Sequence, residues 1–276
     1  MSIVNKNKLE ISPRNPTFPF DELVNPFFYN NNRIISTYIA AMSATFPGGE
    51  KGFIDSVRYY RDQVKDPELL NQIKGFIGQE GHHSHQHKKV YRKLDELGLT
   101  VSKLEKDLEK RIEKNKAQLD PKNFLAVTVG MEHLTAIMAE YVLENPDILS
   151  PLPASAKDLL LWHAVEEIEH KSVAFDVYQE CVGERRRLHI MMIYGTFLGL
   201  WRVSLFQASL LLSTKKLPRI SDAIEASKIL LGKKGFLRGI ARPYLDFFNN
   251  DFEPWDHQNS HLVDQWKAQN LPTRNS

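Results

Sequence analysis

The segment QEGHHSHQH places Glu80, His83 and His87 at offsets of zero, three and seven, and WHAVEEIEH places His163, Glu167 and His170 at zero, four and seven. Positions spaced in this way lie on one face of an α-helix, so each segment directs its metal-compatible side chains inward along a single stripe. Two further carboxylates stand in helix-compatible surroundings, Glu50 in FPGGEKGF and Glu132 in MEHLT. In chain order the sequence supplies Glu, then Glu-x-x-His, then Glu, then Glu-x-x-His, each on its own predicted helix.

The helix signals that frame these positions are local. Asp66-Pro67 and Asp120-Pro121 each pair an N-cap side chain with a proline suited to the first helical turn. They predict a long helix to about Leu97, stopped by Gly98, and another from about Lys122 to Leu143. A helix from the NNNRIISTYIAAMSATF segment is expected to stop near Phe46, interrupted by Pro47, Gly48 and Gly49, with a second beginning near Glu50. Leu104, Leu108 and Ile112 form one stripe of a charged helix over about 101–118, read as a solvated helix packed by one face. A long helix is expected over about 155–181. Strand-like alternation is weak throughout, and the result is an all-α bundle.

The ligand order resembles the ferritin-like di-iron or di-manganese carboxylate bundles, in which two helices each give a Glu and two others each give Glu-x-x-His. The resemblance covers about Glu50 to Cys181. FPGGE, QExxHHxxH and WHxxEExEHKxVAFDVY also resemble segments of the predicted metal-dependent hydrolases, over most of the chain. The ferritin-like pattern implies Glu50 and Glu132 as terminal carboxylates, Glu80 and Glu167 as bridging ones, and His83 and His170 as ring-nitrogen ligands. Glu166 competes for the place of Glu167, but Glu167 to His170 repeats the Glu80 to His83 interval. His87 and His163 stand one turn from these ligands and are open to three roles: extra ligand, hydrogen-bond partner of a ligand, or ordinary packed histidine. His82, His85 and His133 are poorly phased and read as surface or packing residues. Trp162 is a candidate for the cavity wall or electron transfer, against an ordinary packing role.

Composition narrows the chemistry. With 36 Lys+Arg against 34 Asp+Glu, the net charge of +2 gives no nucleic-acid signature. One cysteine, Cys181, excludes an intrachain disulfide framework and thiolate-rich metal sites. The N-terminus lacks the continuous apolar stretch of a signal peptide, so a cytoplasmic location is expected. Four carboxylates and two imidazoles favour two iron ions, with manganese or a mixed iron/manganese pair as alternatives. The primary expectation is a di-iron, oxygen-activating oxidoreductase, an oxidase or oxygenase served by an electron donor. The alternatives are a metal-dependent hydrolase, in which an ion activates water, and a noncatalytic metal-binding or membrane-associated helical protein.

Beyond Cys181 the pattern changes. Three arginines, Arg185 to Arg187, precede the apolar run LHIMMIYGTFLGLWRVSLFQASLLL, which reaches transmembrane length but carries Arg202 near its middle. It is expected mainly as an accessory helix buried against the bundle, with peripheral membrane contact as the next reading; its apolar wall suits a small lipid-like substrate. The basic stretch after Ser213 reads as amphipathic, and His257 and His261 as part of a polar connection and a short terminal helix. The chain therefore divides into an entry segment and di-metal core at 1–182 and a helical extension at 183–276 packed on it. Homo-oligomerisation is compatible with this organisation.

Overall fold

A computed structural model describes residues 9–271; part of the N-terminal reading concerns residues 1–8, which lie outside these. Among the described residues all regular structure is helical. The chain runs through α1 (Arg33–Ser43), α2 (Phe46–Tyr60), α3 (Pro67–Glu96), α4 (Val101–Lys116), α5 (Pro121–Glu144) and α6 (Ala154–His170). There follow α7 (Val173–Cys181), α8 (Arg185–Ser213), α9 (Ile220–Leu231), α10 (Phe236–Asp246) and α11 (Ser260–Asn270). The fold is an all-α bundle with additional C-terminal helices, as the sequence predicts.

The two Asp-Pro signals act as expected. Asp66 accepts from the Glu68 backbone N–H at 2.9 Å and Asp120 from that of Lys122 at 2.8 Å, so each caps its own helix. The Pro-Gly-Gly sequence does not break the chain as expected. Helix α2 begins at Phe46 and passes straight through it, because Pro47 falls in the first turn, where a helical N–H has no intrahelical partner. A side chain at Gly52 would lie 3.3 Å from Ile112 and one at Gly48 3.5 Å from the Glu109 backbone. Only the contact at Gly52 is tighter than ordinary van der Waals distance, so its missing side chain lets α4 lie close against α2.

The single helix expected over 155–181 is two, α6 and α7, joined by a turn at Lys171 and Ser172. Both turn residues keep near-helical dihedrals, so α7 continues α6 with a kink. Lys171 is drawn out of the run to donate to the His257 carbonyl and to Asn259 Oδ1, each at 2.7 Å.

Helix α2 packs on α3 and α5, α5 on α6, and α3 on α6, which closes a four-helix ring. Apolar clusters lie on both sides of its interior, one containing Tyr91, Leu159 and Trp162, the other Ile73, Phe76 and Leu125. Helix α8 lies along α5 and α1. Its expected full burial is not found. Leu188, Met192, Phe206 and Leu210 are buried, whereas Ile190, Ile193, Phe197, Leu200, Trp201 and Leu205 are exposed. The helix is apolar on both faces, so packing one of them against the bundle leaves the other uncovered.

Candidate metal centre

Helices α2, α3, α5 and α6 bring Glu50, Glu80, His83, Glu132, His163, Glu167 and His170 into the ring interior, where all seven are buried. Three sets have ligand atoms mutually within 4.8 Å: Glu50, His83 and His163; Glu80, Glu132 and His170; and Glu80, His83 and Glu167. Clustered His and Glu side chains of this kind can hold one or two cations. All six residues expected as ligands are in these sets, and His163 joins them.

The chemistry of the donor atoms fits a cation. Both oxygens of Glu80 and of Glu132, Glu50 Oε1, Glu167 Oε2, His83 Nδ1 and His170 Nε2 are buried without a hydrogen-bond partner among the described residues. An unpaired buried polar atom costs about 1–3 kcal/mol, so convergence of this many requires a compensating charge. The proton affinities express the same frustration. Burial, aided by the neighbouring Glu80 charge, holds Glu50 well above the usual carboxylate range. Burial likewise raises Glu80 and Glu132. Burial alone would depress His170 and raise Glu167, but the imidazoles of His163 and His170 beside Glu167 hold it well below its ordinary value, and the carboxylates of Glu167, Glu80 and Glu132 hold His170 well above its own. The cluster thus favours positive charge, whether brought by protons or by cations.

The clustered histidines are held from behind. Gln79 donates through Nε2 to Glu169 Oε2 at 2.6 Å, and its Oε1 lies 2.9 Å from His170 Nδ1. A carboxylate only accepts, which fixes the amide orientation and makes His170 Nδ1 the donor to Gln79. His170 Nε2 is then turned toward Glu80 Oε1 at 3.1 Å and Glu132 Oε2 at 3.4 Å. His83 is backed by a carboxylate rather than by a hydrogen bond: Nε2 lies 3.1 Å from Glu166 Oε2 without hydrogen-bond geometry, and Nδ1 is turned toward Glu167 and Glu80.

Arg14 joins the two supports, with Nε 2.9 Å from Glu166 and Nη2 2.6 Å from Glu169. Ser84 donates to Glu50 Oε2 at 2.6 Å. Glu166 is therefore placed behind His83, and Glu167 faces the cluster. Burial raises Glu166 to about 8, against the opposing pull of Arg14.

His163 Nε2 lies 2.7 Å from Glu167 Oε1 and 3.9 Å from Glu50 Oε1, while its Nδ1 lies 2.8 Å from His87 Nε2. His87 stands one layer behind, a buried imidazole pushed well below its ordinary value by desolvation. Trp162 packs edge-on to His83 at 4.9 Å and donates to Glu166 at 3.0 Å. It lines neither lobe of the adjoining cavity, so the packing role fits it better than the cavity-wall one. His82 is half-buried and His85 exposed, whereas His133 is buried and contacts the Pro243 carbonyl at 3.0 Å.

Arg14, Gln79, Ser84 and Glu169 are the residues around the cluster that motif spacing misses, while Glu166, weighed there as a rival of Glu167, takes a place behind His83 instead. Gln79 alone carries a usable signal, because it falls one turn before His83 on the same face.

The cluster floors a cavity of two lobes, about 330 and 280 Å³, both reaching His163 and Glu167. The larger is walled by apolar residues of α1, α5 and α6, including Ile35, Ile39 and Val142, with Ile229 and Leu230 of α9. The smaller reaches Glu50 and opens between α4 and α8.

The chain belongs to the family of predicted metal-dependent hydrolases, whose model matches residues 12–258. No curated protein and no solved structure matches it. The family description and the clustered ligands agree on metal dependence, and the description favours the hydrolase alternative over the oxygen-activating expectation.

Proposed function

We propose that this protein is a two-ion hydrolase acting on a largely apolar substrate, with Glu50, Glu80, His83, Glu132, Glu167 and His170 holding the ions and His163 adding a seventh donor. Support comes from the unpaired, buried ligand atoms converging at the floor of an apolar cavity. Hydrolysis is preferred over redox chemistry because it is the activity named for the family. When bound, the ions supply Lewis acidity toward water and an acyl or phosphoryl oxygen or, as iron, electrons toward dioxygen.

The chain's own residues provide the rest. Gln79 and Glu166 orient the two motif histidines, and Ser84 orients Glu50. His87 serves His163 in either tautomer: its Nε2 accepts a proton from His163 Nδ1 or donates one to it across 2.8 Å. The apolar cavity wall limits water to what the cluster itself recruits. Residues 183–276 complete this wall over the 1–182 core, since Leu198 and Val203 of α8 and Phe236 of α10 line it.

A ferritin-like di-iron oxidase or oxygenase is the second reading. The observation favouring it is the disposition of four carboxylates and two motif histidines on four helices of one ring. It calls for two iron ions, or manganese or a mixed pair, and for an external electron donor. One experiment separates the two. Protein loaded with zinc, manganese or iron is assayed on acyl and phosphoryl esters without oxygen, and the iron form is then reduced and exposed to oxygen. Anaerobic cleavage with solvent oxygen in the product supports hydrolysis. Cleavage by none of the forms, with iron-dependent oxygen consumption coupled to substrate oxidation, replaces it with the second reading.

A further inference from the structure

The smaller lobe carries two cations that the metal centre does not use. Arg111 of α4 and Arg202 of α8 both line it. Arg111 is exposed and Arg202 half-buried, whereas Glu50, Glu167 and His163 of the same lobe are buried. The guanidiniums therefore stand at the mouth and the carboxylate cluster at the floor. Neither arginine makes an ion pair or hydrogen bond among the described residues. The acidic side chains nearby are taken up elsewhere: Glu109 and Glu113 by Lys51, Asp55 by Lys116. The two arginines are near enough that the Arg111 charge adds to desolvation in lowering Arg202. Like charges near one another at the rim of an apolar cavity, neither paired with a carboxylate among the described residues, leave a place for an external anion.

We propose that Arg111 and Arg202 clamp the anionic headgroup of an amphiphile whose apolar chain lies in the cavity beneath them. Calling this ligand the substrate rests on the metal-centre reading above; its binding does not. The headgroup is a carboxylate or a phosphate, both of which a pair of guanidiniums can grip through charge-assisted hydrogen bonds.

The test is titration of the full chain with palmitate, hexadecyl phosphate and hexadecanol, which share one chain and differ in headgroup. At least one of the two anions is expected to bind about 10-fold or more tightly than the alcohol, and the better anion identifies the headgroup. The double variant Arg111→Gln/Arg202→Gln is expected to lose about 10–100-fold for the anion and little for the alcohol. Equal affinity for anions and alcohol, or an unchanged double variant, overturns the clamp. Ion uptake is measured on the same samples: intact uptake with no headgroup discrimination refutes the clamp alone, whereas failed uptake with discrimination intact refutes the metal centre alone.

A different observation carries a second inference. Residues 185–245 hold 12 Lys+Arg and 2 Asp+Glu, leaving 24 basic against 32 acidic in the remainder of the chain. This basic stretch includes the exposed α8 stripe Ile190, Ile193, Phe197, Trp201 and Leu205. Helix α8 is long and apolar enough to cross a membrane, but its opposite face is packed along the bundle. Arg185, Arg186 and Arg187 stand at one end of this helix and the exposed Lys215 and Lys216 just beyond the other, so a two-fold dimer through this face would bring like charges together. We infer that the stripe docks on an anionic lipid surface, with its basic flanks engaging headgroups. Tyr194 and Leu200 are exposed and also line the smaller lobe, so the cavity mouth borders the docking face.

Sedimentation with phosphatidylglycerol-containing and pure phosphatidylcholine vesicles tests this. Binding is expected to the anionic vesicles, to weaken with salt, and to fall about 10-fold or more in Phe197→Ser/Trp201→Ser. Failure to bind either vesicle, or a concentration-dependent dimer abolished by that same variant, overturns it.

Discussion

Replacing Gln79 with Leu tests whether the ligand shell depends on what stands behind it. Gln79 is fully buried, touches no expected ligand except His170, and couples that imidazole to the Glu169–Arg14 pair. Leucine fills similar space while deleting the acceptor that fixes His170 with Nδ1 protonated and Nε2 toward the cluster. Loss of such a partner lowers metal affinity by about 10–100-fold, or about 1.4–2.7 kcal/mol. At about 2–4 °C per kcal/mol for a chain approaching this size, the thermal stabilisation produced by a saturating divalent ion shrinks by about 3–10 °C. The control is Gln86→Leu. Gln86 is also fully buried on α3, but it donates to the Pro16 carbonyl at 2.6 Å and to Asn15 Oδ1 at 3.1 Å, not to a ligand. Both variants lose about 1 kcal/mol or more of fold stability from lost hydrogen bonds. Only Gln79→Leu loses ion-dependent stabilisation. Calorimetric melts with and without manganese or iron read both quantities, and equal ion-induced shifts in the two variants would refute the reasoning.

His83→Ala and His170→Ala are each expected to lower bound metal, measured by elemental analysis, whereas His82→Ala leaves it within error. Ion uptake releases protons, because cations take the place of protons on Glu50, Glu80, Glu132 and His170; apparent affinity therefore rises with pH, and the calorimetric binding enthalpy depends on the buffer's ionisation heat. Chelation lowers thermal stability by about 2.7 kcal/mol for each ion held at 100 times its Kd, seen as a lower melting temperature that re-addition restores. Gly78→Ala, whose new methyl would sit 2.5 Å from Pro13, displaces the segment carrying Arg14 and costs about 1–3 kcal/mol in a denaturant titration together with metal affinity.

The convergence of the motif side chains on one buried cluster was legible because a helix turns spacing into direction. Glu80 and His83 share a face by virtue of their three-residue interval, and the same holds for Glu167 and His170, so no tertiary information is needed to align them. The Asp-Pro caps were legible for an equally local reason. The α6–α7 kink was not, because its partners are His257 and Asn259, more than 80 positions away. The uninterrupted α2 is not legible from glycine's propensity cost, because the compensating gain appears only once α4 lies beside Gly52.

Arg14 shows where local reading ends. It lies in a stretch with no regular structure, and its flanking sequence, SPRNP, predicts only an irregular entry. Its position is set by the helix it crosses: side chains at Gly75 and Gly78 would come within 2.5 Å of Ile11 and Pro13, so the chain can lie there only because α3 carries no Cβ at those two positions. That close approach puts Arg14 between Glu166 and Glu169, two buried carboxylates on the opposite flank of the α6 ligand stripe. Through Glu166 it reaches His83, and through Glu169 and Gln79 it reaches His170. One guanidinium from outside the ring thus sits behind both motif histidines, and two glycines at a three-residue interval on α3 are what admit it.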